Sequence, residues 1–181
     1  KGTTVELMKM GEPGVPEMNA YIEEVLKEGE TLGFDGRVVS VGEGEGYAAI
    51  AGKKNAKVNY QVDLIDKIWE DRPVLSEEPA FNLDVKYAGE TVASKLARIR
   101  EEMKEAGTNV HVVSTIDDIC WTLNIRGNDI DFFPLVLSYG IITMDSFELY
   151  IDEKKLDDKL KAKLAKDGVN LHPYNDIYED V

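Results

Sequence analysis

The polar loop Asn124–Asp129 is the stretch of this sequence whose residue types are best suited to binding chemistry. It carries an amide at Asn124, a guanidinium at Arg126 and a carboxylate at Asp129 within six residues. Loops held by rigid elements often supply binding residues, and such groups can hydrogen-bond a polar substrate. Equally, Arg126 and Asp129 can pair with each other and simply fix a turn. Residue chemistry alone leaves both interpretations open.

The rest of the sequence gives weaker support for a metal site or a catalytic nucleophile. A zinc site normally needs three or four clustered ligands, whereas the chain has two distant histidines, His111 and His172, and one cysteine. Cys120 lies between Ile119 and Trp121 on a predicted helix, which favours a small core residue over a nucleophile. We therefore expect structural roles for all three residues.

Two further patterns resemble catalytic or phosphate-binding motifs only superficially. The pair Asp117–Asp118 follows Ser114 and Thr115, so helix capping explains it better than acid–base catalysis. Gly42, Gly44 and Gly46 have G-x-G-x-G spacing, which matches neither the dinucleotide fingerprint nor the P-loop. Their intervening glutamates would repel phosphate, so we predict a flexible acidic turn here.

Alternating elements in the second half of the chain are predicted to position the polar loop. A helix is expected over Thr91–Ala106, ended by Gly107, followed by a short buried strand at Val110–Val113. The next helix, which Ser114 or Thr115 caps, runs into the loop. Later elements are paired strands over 135–143 and 147–151 around a turn, a helix over 156–165 and a strand at 169–171.

The first half of the chain repeats the alternation of strands and helices. Strands are predicted at Thr3–Met10 and Thr31–Phe34, and residues 57–62 look extended. Helices are predicted after Pro16, from a start near Ser40 covering Tyr47 to Gly52, and over Asp63–Glu70. We therefore predict an α/β fold of two units, each a mixed β-sheet flanked by helices. The predicted boundaries are 1–72 for the first domain, 73–89 for a linker strap and 90–181 for the second domain.

Composition excludes several classes of protein. The formal net charge is −14, spread evenly over both halves, which disfavours nucleic acid and anionic membranes as partners. A single cysteine cannot form an internal disulfide, and we find no membrane span and no leader sequence. A cytoplasmic location is expected. Because the sequence starts at Lys1 without methionine, we also expect the natural N-terminus to lie upstream.

Two long motifs resemble the Xaa-Pro aminopeptidase (aminopeptidase P) family. Residues 62–73 read VDLIDKIWEDRP and resemble the signature N-L-V-D-x-I-W-x-x-R-P. Residues 114–143 resemble the pattern D-x-I-A-W-L-x-N-x-R-G-x-D-I-x-x-x-P-x-x-x-S-Y. The matching positions in that stretch are Ile119, Trp121, Asn124, Arg126, Gly127, Asp129, Ile130, Pro134, Ser138 and Tyr139, while Asp118 and Leu123 each lie one residue after the D and the L of the pattern. Residues 32–36 and 172–178 also fit, so the resemblance covers nearly the whole chain.

The resemblance implies the non-catalytic N-terminal region of a three-domain metallopeptidase that removes the residue preceding proline. It implies two related creatinase N-terminal-type domains, the first truncated, before a "pita-bread" catalytic domain absent from this sequence. That domain would hold two divalent metal ions, usually manganese, so no metal ligand or catalytic residue is assigned to this chain. Expected partners are the chain's own catalytic domain, a second copy in a homodimer, and short proline-containing peptides.

By this resemblance, Asn124, Arg126 and Asp129 are expected to lie in the wall of the substrate cleft, and Asn124 and Arg126 to help close it over short peptides. Two alternatives stay open. One is a pure assembly or binding module, and the other is the N-terminal region of a prolidase or creatinase-like hydrolase. The segment Ile68–Pro73 favours the three-domain aminopeptidases over the second alternative.

Overall fold

The computed structural model describes residues 4–181, which divide into two compact units, one ending at Pro73 and the other spanning Val74–Val181. The predicted strand Thr3–Met10 is wrong where it can be tested. Thr3 lies outside the described residues, and residues 4–10 form no strand. Val5 and Leu7 remain 82% and 81% exposed, so the apolar alternation there does not mark a buried sheet face.

The first unit builds a small α/β layer around one short parallel strand pair. In chain order its elements are α1 (Met18–Val25), β1 (Thr31–Gly33), α2 (Val41–Lys53) and β2 (Lys57–Asn59). Strands β1 and β2 pair in parallel, with Leu32 opposite Val58. Leu26, Ile50 and Ala51 form the buried cluster against this pair. The predicted strand at Thr31–Phe34 and the helix after Ser40 are confirmed.

Two predictions for the first unit are wrong, each for a local reason. Gly42, Gly44 and Gly46 lie inside helix α2 and not in a flexible turn, because Ser40 and Glu43 form a reciprocal capping box that starts the helix before them. Residues 64–68 form turns, and no helix is present over 63–70. The Asp63 carboxylate accepts hydrogen bonds from the backbone N–H groups of Ile65 and Asp66, as a helix N-cap would, but the apolar side chains that follow stay exposed, so no packing stabilises a helix here.

The second unit is larger and holds the polar loop. Its helices are α3 (Val85–Ala88), α4 (Val92–Glu105), α5 (Ile116–Leu123), α6 (Asp158–Lys166) and α7 (Ile177–Asp180). Its strands are β3 (Phe81–Asn82), β4 (Val110–Val113), β5 (Ile125–Arg126), β6 (Tyr139–Thr143), β7 (Phe147–Tyr150) and β8 (Val169–His172). The helix predicted over Thr91–Ala106 and the paired strands β6 and β7 are confirmed.

A mixed four-stranded sheet organises the core of the second unit. Its order is β4-β6-β7-β8, with antiparallel pairing except between β7 and β8, which run parallel. Phe147 and Leu149 are fully buried on β7, while the intervening Glu148 is only half-buried. This alternation identifies the face that packs against the helices. Gly140 permits the close approach, because a Cβ there would lie 2.6 Å from Phe147 Cζ.

The edge strand β4 differs from its prediction as a buried strand. Val110 and Val112 are 52% and 45% exposed, because β4 lies at the sheet edge and only Val113 reaches the core. Residues 81–88, inside the predicted linker strap, form β3 and α3. Among residues 4–181, no helix combines the length and the apolar character that a bilayer crossing requires.

Candidate functional site

The polar loop leaves α5 at Asn124, which ends the helix in the left-handed region. Its φ of 53° and ψ of 40° are tolerated by asparagine better than by most other residues. The backbone N–H of Asn124 donates to the carbonyl oxygens of Cys120 and Trp121, which closes the last turn of α5. The Asn124 side chain points inward and is 1% exposed with the rest of the residue. Asparagine here therefore terminates a helix and enters the core.

Lys95 is the buried partner of Asn124, and the sequence did not reveal it. Its Nζ donates hydrogen bonds to Asn124 Oδ1 at 2.7 Å and to the Trp121 carbonyl oxygen at 2.6 Å. The same Nζ lies 4.2 Å from the centroid of the Trp121 ring, which favours a cation. Asn124 Nδ2 in turn donates to the Glu90 carbonyl oxygen at 2.8 Å. Burial lowers the pKa of Lys95, which is 1% exposed.

The position of Lys95 in α4 was the one sequence signal that could have revealed its buried role. It lies one residue before Leu96 and three after Val92, on the helix face that Val92, Leu96 and Met103 bury in the core. A lysine within an apolar stripe must either extend to solvent or find acceptors inside. Here it finds acceptors at the C-terminal end of α5.

Arg126 lies on β5 and also closes the end of α5. Its Nη1 donates to the carbonyl oxygens of Cys120 at 2.7 Å and Ile125 at 2.8 Å. Helix C-termini leave carbonyl groups without intrahelical partners and carry partial negative charge, so cations are favourable there. Lys95 and Arg126 donate to two of the last carbonyls of α5, which also accept from the Asn124 N–H. Arg126 is half-buried, and it stands opposite Phe81 in the antiparallel pair β3–β5.

Asp129 forms a buried ion pair with Lys155 and makes no pair with Arg126. Its Oδ2 accepts hydrogen bonds from Lys155 Nζ at 2.5 Å and from the Leu137 backbone N–H at 2.7 Å. The two charged side chains are 0% and 2% exposed. Within residues 4–181, Asp129 Oδ1 has no hydrogen-bond partner. The possible Arg126–Asp129 pair is therefore wrong, because each charge has another partner.

The three predicted site residues thus lie close in sequence but in different environments. Asn124 and Asp129 have buried side chains that hold the loop to α4 and to the segment before α6. Arg126 alone combines a fixed position with partial exposure. A role in a substrate cleft stays a prediction for all three.

The other candidate residues take structural positions. Cys120 is fully buried; burial raises the pKa of its thiol, although its Sγ accepts a hydrogen bond from the Val136 backbone N–H. Asp117 and Asp118 are exposed in the first turn of α5; Thr115 occupies the N-cap position, but its side chain makes no capping hydrogen bond. These placements agree with a core thiol and favourable first-turn charges, as predicted.

The two histidines lie on opposite edge strands of the four-stranded sheet. His111 is on β4 and His172 is on β8, where its Nε2 is 2.6 Å from Glu148 Oε2. Across residues 4–181, no three His, Cys, Asp or Glu side chains are grouped to hold a metal ion. The side chains described therefore do not fit a dinuclear metal centre.

Comparison with known proteins confirms the family resemblance that the two motifs predicted. Residues 71–181 match the model of the creatinase/prolidase N-terminal domain family. The chain is 36% identical over 178 residues to aminopeptidase P2 of Arabidopsis thaliana, covering 97% of this chain and 25% of that protein. It is 36% identical over 184 residues to a probable Xaa-Pro aminopeptidase P of Sordaria macrospora, covering 96% of this chain and 29% of that protein.

A solved structure shows the same fold at moderate sequence identity. It is an X-prolyl aminopeptidase from Caenorhabditis elegans, described as a cytosolic enzyme with a di-nuclear active site. The TM-score is 0.86 at 33% identity, and the match covers 96% of this chain and 28% of that one. The chain thus spans between a quarter and a third of the length of these relatives.

Proposed function

The chain belongs to the creatinase/prolidase N-terminal domain family, and we propose that it serves as the non-catalytic N-terminal region of a metal-dependent Xaa-Pro aminopeptidase. The observation that carries this proposal is the match of nearly the whole chain to proteins of that name, in sequence and in fold. The parent enzyme would remove the N-terminal residue that precedes proline in a peptide.

The catalytic metal ions belong, in this proposal, to a separate C-terminal catalytic domain that is the main partner of this chain. Two divalent ions, which we expect to be manganese, would act there. The di-nuclear centre of the Caenorhabditis elegans enzyme supports two metal ions. No described residue of this chain is assigned to metal binding or to the chemical step. The cytosolic character of that relative also favours a cytoplasmic location for this one.

Within the parent enzyme, the Asn124–Asp129 loop would form a wall of the cleft that closes over a short peptide. Asn124 and Asp129 would act by position, since their side chains are bonded inside the unit. Arg126 would reach the peptide, because only part of its guanidinium is used by backbone carbonyls. Such rigid support of a contacting residue is what a precise binding site requires.

Steady-state kinetics of the polypeptide that joins this chain to its catalytic domain would test the proposal. Arg126→Ala should raise KM or lower kcat/KM for Xaa-Pro peptides. Arg100→Ala is a matched control, because the Arg100 guanidinium also donates only to backbone carbonyls, those of Thr143 and Ser146. We expect the control to lose stability without a specific loss of kcat/KM. A wild-type polypeptide that does not cleave Xaa-Pro peptides would refute the proposed function.

A role in assembly is a second candidate, and the surface of the first unit favours it. Leu64, Ile65 and Ile68 are 56%, 54% and 76% exposed, with Trp69 beside them at 45%. Exposed apolar side chains grouped this closely in sequence are typical of protein–protein interfaces when they form one patch. Sedimentation of wild type and Ile68→Glu would test homodimer formation, and identical monomeric profiles would exclude it.

A further inference from the structure

Positive charge is concentrated at the C-terminal end of α5, although the chain carries a formal net charge of −14. Lys95, Arg98 and Arg126 supply three cations around Trp121 and its helix end. Glu90 is the carboxylate bound to this group, and it pairs with Arg98 at 2.8 Å. Among residues 4–181, neither Lys95 nor Arg126 has a carboxylate partner. The cluster therefore carries more positive than negative charge.

Only one side of the Arg126 guanidinium makes hydrogen bonds within the described part of the chain. Nη1 makes both of its hydrogen bonds, to the carbonyls of Cys120 and Ile125. Within the described part of the chain, Nε and Nη2 have no hydrogen-bond partner. These two nitrogens form the edge that binds a carboxylate through two parallel hydrogen bonds. Since Nη1 is anchored, the orientation of that edge is fixed before any ligand binds.

An aromatic side chain stands beside the same guanidinium. Phe81 is directly opposite Arg126 in the antiparallel pair β3–β5 and is 48% exposed. Side chains at directly opposite positions project from the same face, about 5 Å apart at Cβ. A ligand bound to Arg126 would therefore find an apolar wall next to its anionic group.

We propose that the Nε–Nη2 edge of Arg126 binds the C-terminal carboxylate of a short peptide, with Phe81 contacting the adjoining residue of that peptide. This inference rests on the proposed function and names the group of the substrate that the loop recognises. Only a short peptide has its terminal carboxylate close to the bond that is cleaved. A contact of this kind therefore gives a preference for short substrates without excluding longer ones by size.

Comparison of a free-acid peptide with its amide isolates this contact. With the polypeptide that includes the catalytic domain, kcat/KM for Ala-Pro-Ala should exceed that for Ala-Pro-Ala amide by roughly 10- to 100-fold, as expected for a bidentate charge-assisted pair. Arg126→Gln should bring the ratio close to one, mainly by slowing the free acid. Arg126→Lys should keep an intermediate ratio, and Arg100→Gln should keep the wild-type ratio.

Binding to the chain alone gives a second, independent measurement. In ¹H–¹⁵N spectra, the Nε–H signal of Arg126 should shift on titration with Ala-Pro-Ala and stay in place with the amide. Ala-Pro-Asp amide tests an acidic side chain as the source of the carboxylate. A shift with that peptide but none with Ala-Pro-Ala would overturn the assignment to the peptide terminus.

The outcomes separate this inference from the function on which it rests. Cleavage of Xaa-Pro peptides with equal kcat/KM for acid and amide would overturn the carboxylate contact and leave the proposed function standing. If Arg126→Gln lowered kcat/KM equally for the free acid and the amide, Arg126 would act only on structure. Absence of cleavage would refute the proposed function, and the spectra would then decide whether Arg126 binds a carboxylate. No shift with either peptide would overturn that binding.

Discussion

Replacing Lys155 by methionine should destabilise the second unit severely, because it leaves the Asp129 carboxylate buried without a counter-charge. The two side chains are 2% and 0% exposed, with Nζ and Oδ2 separated by 2.5 Å. Breaking a buried pair by removing one partner costs about 3–5 kcal/mol. Since small domains are stable by only about 5–15 kcal/mol, such a loss is a large part of the total. Methionine preserves most of the aliphatic volume, so little of the effect comes from a cavity.

Urea unfolding followed by circular dichroism would measure the free energy of unfolding for four variants. Lys159→Met is the matched control, since Lys159 is exposed and its loss should change stability by no more than about 0.5 kcal/mol. Asp129→Asn leaves the Lys155 ammonium unpaired and should cost a similar amount to Lys155→Met. The double variant Asp129→Asn/Lys155→Met removes both charges and should recover much of the loss, because the amide oxygen introduced at position 129 can still accept from the Leu137 N–H.

Two results would contradict this reasoning. A loss below about 1 kcal/mol in Lys155→Met would mean that the remaining carboxylate is not effectively buried. A double variant no more stable than Lys155→Met would mean that the charge on Asp129 is not the source of the loss. Either result would also weaken the view that Asp129 acts by holding the loop.

Three further changes have expected outcomes that follow from single contacts. Phe132→Gly should stabilise the chain by about 0.5–1 kcal/mol in thermal unfolding, because Phe132 has a φ of 65° and an entirely exposed ring, whereas Phe132→Ala should give no such gain. Gly140→Ala should destabilise by about 1–3 kcal/mol in urea, because the new Cβ would lie 2.6 Å from the buried Phe147 ring; no change would mean that this packing is loose. Hydrogen bonds from Arg98 and Ser94 lower the pKa of Glu90 from 4.5 to about 2, so its contribution to stability is complete above about pH 4.5 and is lost as pH falls towards 2. Unfolding measured across that range should show Glu90→Gln less stable than wild type at neutral pH and the difference shrinking in acid.

Helix α5 was predictable because residues close together in the sequence define both its start and its apolar face. Thr115 precedes it, acids occupy its first turn, and Ile119, Cys120 and Leu123 repeat at helical spacing on a fully buried face. The strands β6 and β7 were predictable for a similar reason, since a short turn joins two apolar runs. Local patterns of this kind determine most elements of the second unit, and the α/β class follows from their order.

Predictions failed where packing or capping outweighed residue composition. Asp63 accepts bonds from two following N–H groups, as a helix N-cap does, but Leu64 and Ile68 stay exposed, so residues 63–70 lack the packing that would stabilise a helix. The glycines of α2 are poor helix formers, but the Ser40–Glu43 capping box offsets part of that penalty, and Tyr47, Ile50 and Ala51 are buried on the same helix. The partners of Lys95 and Asp129 depend on contacts 26 to 29 residues apart, which no local pattern shows.

A structural role and a binding role for Arg126 need not exclude each other. The Nη1 atom caps the end of α5, and this bond is what fixes the plane and direction of the guanidinium. A freely rotating arginine would lose side-chain entropy on binding a carboxylate, whereas an anchored one has already lost it on folding. Removing the cap therefore affects stability and recognition together, and only the acid-to-amide ratio separates them. That ratio depends on the unused Nε–Nη2 edge, because the capping bond is the same whichever peptide is present.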